Sequence, residues 1–226
     1  MIVIHESEPS RVERKREARS AAILDEAMRI LAAEGLDGLT LGRLAKSLDL
    51  VPAALYRYFA SKDALLAALQ RRAVATIHEG LGRTLAALEG RPVLARLAGA
   101  AHFYLGLPQT EPQAYFLVAL LLGDPRPLLS DEESRRTAPL LLGLLADVEA
   151  LFQEAARTGA LSRGDSRERT LAFWALVHGA LSLEKARRIA PAMPASSIVA
   201  HAGLASLFVG WGAAPAQLKH LRKGAS

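Results

Sequence analysis

TLGRLAKSLDLVPAALYRYFASK, residues 40–62, is the stretch that decides the fold. It reads as a short helix, a tight turn, a second short helix and the first turn of a third. Thr40 is a good N-cap, and Leu41, Leu44, Ala45 and Leu48 follow at helical spacing. Asp49, Leu50 and Val51 make a three-residue break. Pro52 suits the first position of a new helix, where no amide hydrogen bond is lost. Leu55 and Phe59 give that helix one apolar side, with Tyr56, Arg57 and Tyr58 around the rest. Ser61 caps the helix that follows, with Asp63 favourably placed in its first turn.

Two short helices joined by a tight turn form the element that sets its second helix in a DNA major groove. Lys62 sharpens this reading. A lysine in the first turn of a helix opposes the helix dipole, so local stability gives no reason for it. Beside free backbone amides it makes an anion site, and DNA phosphate is the anion expected there.

The stretch LAKSLDLVPAALYRYFASKDALLAAL resembles the DNA-binding region of TetR/AcrR-type transcriptional regulators. The shared features are Gly35, Thr40, the pairs Leu44-Ala45 and Leu55-Tyr56, Phe59, and Lys62 followed by Leu65; they span residues 14–70. The resemblance implies backbone-contacting positions at Thr40, Tyr56, Tyr58 and Lys62, and base-facing positions at Pro52, Ala53 and Arg57; Arg43 is a further DNA-binding candidate. Three residues depart from the pattern. Asp49 stands where the family has a turn glycine; Asp tolerates a left-handed backbone at modest cost. Val51 replaces the hydroxyl cap of the second helix, a loss of about 0.5–2 kcal/mol. Gly42 has no side chain where a base-contacting one is frequent. Val51, Pro52, Ala53 and Ala54 offer no hydrogen bonds to base edges, whereas Arg57 reaches guanine. Few bases are therefore expected to be read directly, with DNA shape supplying the rest.

Working outward, Ser10 and Glu13 match a capping box, and the helix they open runs to about Glu34. Leu24, Ala27, Met28 and Leu31 form its buried stripe, and Gly35 suits its C-terminal end. Arg11, Arg14, Lys15, Arg16 and Arg19 read either as a basic arm near phosphates or as a solvated face offset by Glu13 and Glu17. Residues 1–10 form a tail without the features of a secretory signal, residues 11–72 a DNA-binding head, and residues 73–226 the remainder. The head holds 12 Lys and Arg against 8 Asp and Glu. That surplus of four is modest, and charge alone does not identify a nucleic-acid binder.

Leu and Ala dominate the 226 residues and alternating β-branched runs are scarce, so the chain is expected to be all-α. A long helix from Ser61 to about Glu89 links the head to the rest, with Gly80 and Gly82 as possible bends. Further helices are expected at 91–107, 111–123, 131–158, 165–189 and 195–211, separated by Gly- and Pro-rich breaks, for about nine in all. There is no cysteine, which excludes disulfides, thiol nucleophiles and cysteine metal sites and fits a cytoplasmic location.

From Ile189 to Leu218 there is no Asp, Glu, Lys or Arg. Length alone allows a membrane span, but Pro191, Pro194 and Pro215 interrupt it. An uncharged helix, apolar most of the way round, is instead buried in protein. The family resemblance implies a homodimer in which the last two long helices of each subunit form a four-helix bundle. The interface candidates are Trp174, Ala175, Gly179 and Ser182 with Leu204, Leu207, Phe208 and Trp211. Two heads on a two-fold axis would read a palindromic operator in double-stranded DNA.

The same resemblance places a small-molecule effector pocket among the middle helices. Its candidate lining residues are His102, Tyr104, Tyr115, Phe116, Trp174 and His178, with His78 and Phe103 beside them, and a mostly apolar pocket suits an apolar or aromatic small molecule better than a sugar or a nucleotide. Each has a plainer reading: aromatics at helical spacing usually fill the core, and a lone histidine is usually a hydrogen-bonded core residue. The function expected is a repressor, with a helical interaction or ligand-binding protein that has lost DNA binding as the alternative. An enzyme fits poorly: the histidines at 5, 78, 102, 178, 201 and 220 show no metal-ligand spacing, and no phosphate-binding glycine loop or G-x-S-x-G is present. No catalytic residue, metal ligand or cofactor is assigned.

Overall fold

The structure, a computed structural model, describes residues 10–124 and 126–218. The expected N-terminal tail lies outside the described residues, save Ser10, as do His5 and His220. The described residues are all-helical. They form α1 (Arg11–Gly38), α2 (Leu41–Ser47), α3 (Pro52–Tyr56), α4 (Lys62–Ala87), α5 (Val93–Thr110), α6 (Pro112–Gly123), α7 (Asp131–Arg157), α8 (Ser166–Ser182) and α9 (Ser196–Gly210). A single turn at Glu184–Arg187 follows α8, and a 3-10 turn at Pro215–Leu218 follows α9. No described helix is long and apolar enough to cross a membrane.

The chain divides into two compact units. The first joins Met1–Gln70 with Arg126–Ser134; the second joins Arg71–Pro125 with Arg135–Ser226. The connection between α6 and α7 thus belongs with the head, an assignment that a linear division at residue 72 does not contain.

In the first unit the local signals act as the sequence suggests. Ser10 Oγ accepts from the Glu13 amide and Glu13 Oε2 from the Ser10 amide, closing the capping box. Thr40 Oγ1 caps α2 through the Arg43 amide at 3.1 Å, and Ser61 Oγ accepts from the Ala64 amide at 3.0 Å. Gly35 has φ 72° and breaks α1, whose last residues continue past it as a displaced turn. The buried stripe of α1 is Ile23, Ala27, Met28, Ile30 and Leu31, while Leu24 is only half-buried. α1 packs on α2 and α2 on α3, around Leu39, Leu44, Leu55, Leu65 and Leu69. Asp63 accepts from the Ser130 amide through both carboxylate oxygens, at 3.1 Å each, fastening the α6–α7 connection to the start of α4.

In the second unit α5 packs on α6 and α8, and α8 on α9. Phe152 is fully buried at the centre, with Phe173, Phe208 and Trp211 set edge-on around it at 5.8, 6.5 and 5.5 Å. Arg96 Nη1 donates to Glu154 Oε2 at 2.8 Å, tying α5 to α7. α5 continues through Pro108 to Thr110, one turn beyond the expected end. Asp165, expected to start α8, is instead its N-cap, accepting from the Arg167 and Glu168 amides.

α4 runs unbroken through Gly80 and Gly82, so these residues are not hinges. A Cβ at Gly80 would come within 2.7 Å of the Phe103 ring: the residue is glycine because α5 approaches α4 too closely for a side chain. Gly80→Ala gains about 1 kcal/mol of helix propensity and loses about 1–3 kcal/mol to overpacking. The expected outcome is a lower urea midpoint. An unchanged or raised midpoint would mean that Phe103 yields without strain.

Candidate nucleic-acid interface and ligand cavity

The turn between α2 and α3 is made by Asp49 at φ 52°, the left-handed conformation that its short polar side chain tolerates. Val51 provides no side-chain cap to α3, as its chemistry requires. α3 is only five residues long and is held by Leu55, which is fully buried, with buried Phe59 just beyond it. The opposite face is open. Val51 is 67% exposed and Tyr56 56% exposed; Pro52, Ala53 and Arg57 are exposed, and Tyr58 is half-buried. Thr40 is exposed beside them, its hydroxyl occupied as the α2 cap.

Two of the cations expected at phosphates are engaged within the head. Arg43 grips Glu34 through Nη2 at 2.6 Å and Nε at 3.4 Å, and this hydrogen bonding holds the Glu34 carboxyl below the usual carboxylate range. Lys62 Nζ donates to the Leu36 carbonyl at 2.6 Å. Sequence reading gave Lys62 no local structural purpose. It has one: the ammonium satisfies a carbonyl in the displaced turn after Gly35, which no amide along a regular helix would reach. Two of its three N–H donors remain. Arg57 makes no ion pair among the described residues. The basic side chains at the start of α1 are all exposed.

The second unit encloses a small cavity lined by Ile77 and Leu81 of α4, Ala100, Phe103 and Tyr104 of α5, Leu144, Leu145 and Val148 of α7, and Thr170, Phe173, Trp174 and Val177 of α8. Its volume is about 40 Å³ and its surface is apolar. Of the expected lining residues, Tyr104 and Trp174 face it, as does Phe103. His178 stands behind them: its Nδ1 lies 2.9 Å from the Tyr104 hydroxyl, and Trp174 stacks on its ring at 5.3 Å. Burial pushes the Tyr104 phenol up to about 12 and lowers the His178 pKa, so both are neutral at pH 7.

His102, Tyr115 and Phe116 do not line this cavity. His102 faces away to His201, Tyr115 and Phe116 are half-buried on α6, and His78 is bound to Asp147 at 2.8 Å. The aliphatic side chains that make most of the lining carried no signal in the sequence separating them from core. Among the described residues no group of three or more His, Asp or Glu is placed to hold a metal ion.

Of the residues expected at a subunit interface, Leu204 and Phe208 are fully buried in the subunit's own core, and Trp174 and Trp211 are half-buried against it. Leu207 is half-buried. Ala175, Gly179 and Ser182 are exposed on one face of α8, in line with Leu171; Ile198, Ala202 and Val209 are exposed on α9.

Replacing Lys62 with methionine keeps the aliphatic stem and deletes the donor. The orphaned Leu36 carbonyl is expected to cost about 1–3 kcal/mol, read as a lower denaturation midpoint without any DNA present. A midpoint equal to wild type would return Lys62 to a role outside the fold.

Residues 23–69 match the family model described as bacterial regulatory proteins, tetR family. No curated relative matches the chain. Among solved structures, the provisionally described regulatory protein SCO4313 is 27% identical, with a TM-score of 0.69 over 90% of this chain and 100% of that one. FadR from Bacillus subtilis, in complex with stearoyl-CoA, is 17% identical, with a TM-score of 0.66 over 84% and 97% of the two chains. AibR, in complex with isovaleryl coenzyme A and operator DNA, is 19% identical, with a TM-score of 0.63 over 84% and 98%. The resemblance noted in the sequence therefore stands for the head, and the all-helical fold is that of these regulators.

Proposed function

We propose that this chain, whose head is that of the tetR family of bacterial regulatory proteins, is a homodimeric transcriptional repressor released from a palindromic operator by a small, largely apolar ligand. It would act on DNA in the cytoplasm. The observation that carries the reading is the open face of α3, where Pro52, Ala53, Tyr56 and Arg57 are displayed by a helix anchored only through its other side. Arg57 is the side chain for guanine, at about 1–3 kcal/mol of discrimination. Tyr56, Tyr58 and the free donors of Lys62 serve phosphates, with Thr40 and Arg43 beside them.

Two features support an apolar effector. The cavity has no charged lining residue, and its two hydroxyls, Tyr104 and Thr170, are already paired, with His178 and with the Ser166 carbonyl. The relatives solved with stearoyl-CoA and isovaleryl coenzyme A suggest the acyl end of such a thioester as one ligand class. Dimerisation through the exposed faces of α8 and α9 accounts for Leu171, Ala175, Gly179, Ile198, Ala202 and Val209. Leu204 and Phe208 then support the interface from behind.

A second reading has an observation in its favour. With Arg43 held by Glu34, Lys62 by the Leu36 carbonyl and no cap on α3, the head would be a helical interaction module without useful DNA affinity. A gel shift with the DNA flanking its own gene separates the two. A retarded band that Arg57→Ala abolishes, and that weakens steeply with salt, is the expected result. No shift at any salt concentration would favour the interaction module. In the same preparation light scattering is expected to give twice the 24.2 kDa chain mass; a monomer at micromolar concentration would remove the palindrome from the proposal.

A further inference from the structure

His102 and His201 belong neither to the cavity nor to the face of α3. His102 is half-exposed in the middle of α5, and His201 is 9% exposed near the start of α9. Their Nε2 atoms lie 2.7 Å apart, with ring centroids at 4.7 Å and planes tilted by 50°. At that distance one Nε2 carries a hydrogen and the other presents its lone pair. The Nδ1 of His201 is buried without a well-formed hydrogen bond, and the acceptor available to it is the Ser197 carbonyl one turn earlier. A hydrogen on that Nδ1 leaves the Nε2 lone pair aimed at His102. Proteins orient metal-ligating imidazoles in this way, by committing the other ring nitrogen to a backbone carbonyl. His102 reaches the matching state by carrying its hydrogen on Nδ1, since its ring is half-exposed and exchanges with water.

We propose that His102 and His201 form a two-histidine site for a divalent transition-metal ion of the Zn²⁺, Ni²⁺ or Cu²⁺ class, with water or a small anion in its remaining positions. Imidazole nitrogen suits these ions. A tetrahedral ion with nitrogen ligands at about 2.0–2.1 Å holds two of them about 3.3 Å apart. From the observed 2.7 Å, a small rotation of half-exposed His102 suffices.

The surrounding charges set the affinity. α9 and α6 carry no Asp, Glu, Lys or Arg, and α5 carries only Arg96, bonded to Glu154. α8 carries Arg167, Glu168 and Arg169 in its first turn and His178 further on, bonded to Tyr104. The turn after α8 brings Glu184, whose carboxylate accepts from the Ser196 amide at the start of α9. No fixed cation on these helices lies beside the pair in sequence to repel the metal, and no carboxylate completes its shell. The site is therefore weaker than a three- or four-ligand centre, and an added carboxylate or chloride should strengthen it. Bound metal would fasten α5 to α9 by coordination in place of one hydrogen bond.

The test uses the full chain stripped with chelator, without DNA or effector, so its outcome is independent of the function proposed above. Calorimetric titration with zinc or nickel chloride is expected to give one equivalent per chain and a raised Tm. His102→Gln, which keeps a donor towards His201, should weaken binding by at least about tenfold while circular dichroism stays helical. The Cu²⁺ spectrum of the wild-type protein needs no variant and should show two nitrogen ligands. Absence of binding, binding unaltered by His102→Gln, or a copper spectrum without imidazole nitrogen would each overturn the proposal and leave the pair as a hydrogen bond between helices.

Discussion

The burial of Leu55 is what the head depends on. α3 has five residues, far short of the length at which a helix persists alone in water. It also lacks a side-chain cap, a loss of about 0.5–2 kcal/mol. Full burial of one leucine supplies about 1.5–3 kcal/mol, and Phe59 adds to it from just beyond the helix. Burial therefore outweighs the missing cap. Because the helix is held from one side only, its other side is left free of intramolecular work. Pro52, Ala53, Tyr56 and Arg57 can face solvent there at no cost to the fold.

The cations of the head follow a different rule. Arg43 and Lys62 are engaged within the protein, yet engagement of this kind does not bar a side chain from meeting a phosphate. The Arg43–Glu34 pair is exposed on both sides, and pairs of that kind contribute about 0–1 kcal/mol. A phosphate, a stronger partner in a region of high negative potential, competes well against it. Lys62 keeps two donors after bonding Leu36. Its internal contact fixes the direction of the ammonium group, which lowers the entropy lost on meeting a phosphate. Internal partners on this account orient these two cations, whereas Arg57 makes no ion pair among the described residues.

What could be read before folding was the part determined by neighbours in the chain. Ser10, Thr40 and Ser61 marked helix starts because a hydroxyl acts over three residues, and the Gly- and Pro-rich breaks marked helix ends for the same local reason. Asp49 signalled a left-handed turn residue without any tertiary information. The errors arose where a distant partner decides. Gly80 looked like a hinge, but Phe103 on another helix explains it. Lys62 looked to have no part in holding the fold until Leu36, 26 residues earlier, was placed beside it. Leu204 and Phe208 are buried within the chain itself, which a helix without charge does not reveal, since its sequence does not say which apolar side meets its own subunit. The cavity was least legible of all, since Leu144, Leu145 and Val148 differ from core residues only in what they fail to touch.

That cavity also constrains how a ligand could act. Pockets that hold drug-sized molecules measure about 300–1,000 Å³, whereas this one encloses about 40 Å³. It is bounded by Phe103, held close against Gly80, and by Leu144 and Leu145 on α7. Occupancy by anything beyond a very small group must displace some of these side chains or the helices that carry them. A preformed cavity of full size would bind its ligand with little consequence elsewhere. A small one would couple binding to displacement of its walls, and differential affinity for two arrangements is the condition for a ligand to shift an equilibrium. The smallness of the cavity bears on the regulation proposed above: the apolar contacts that an effector would gain there would be offset by the packing it had to open, and only the surplus would remain to move α5 or α7.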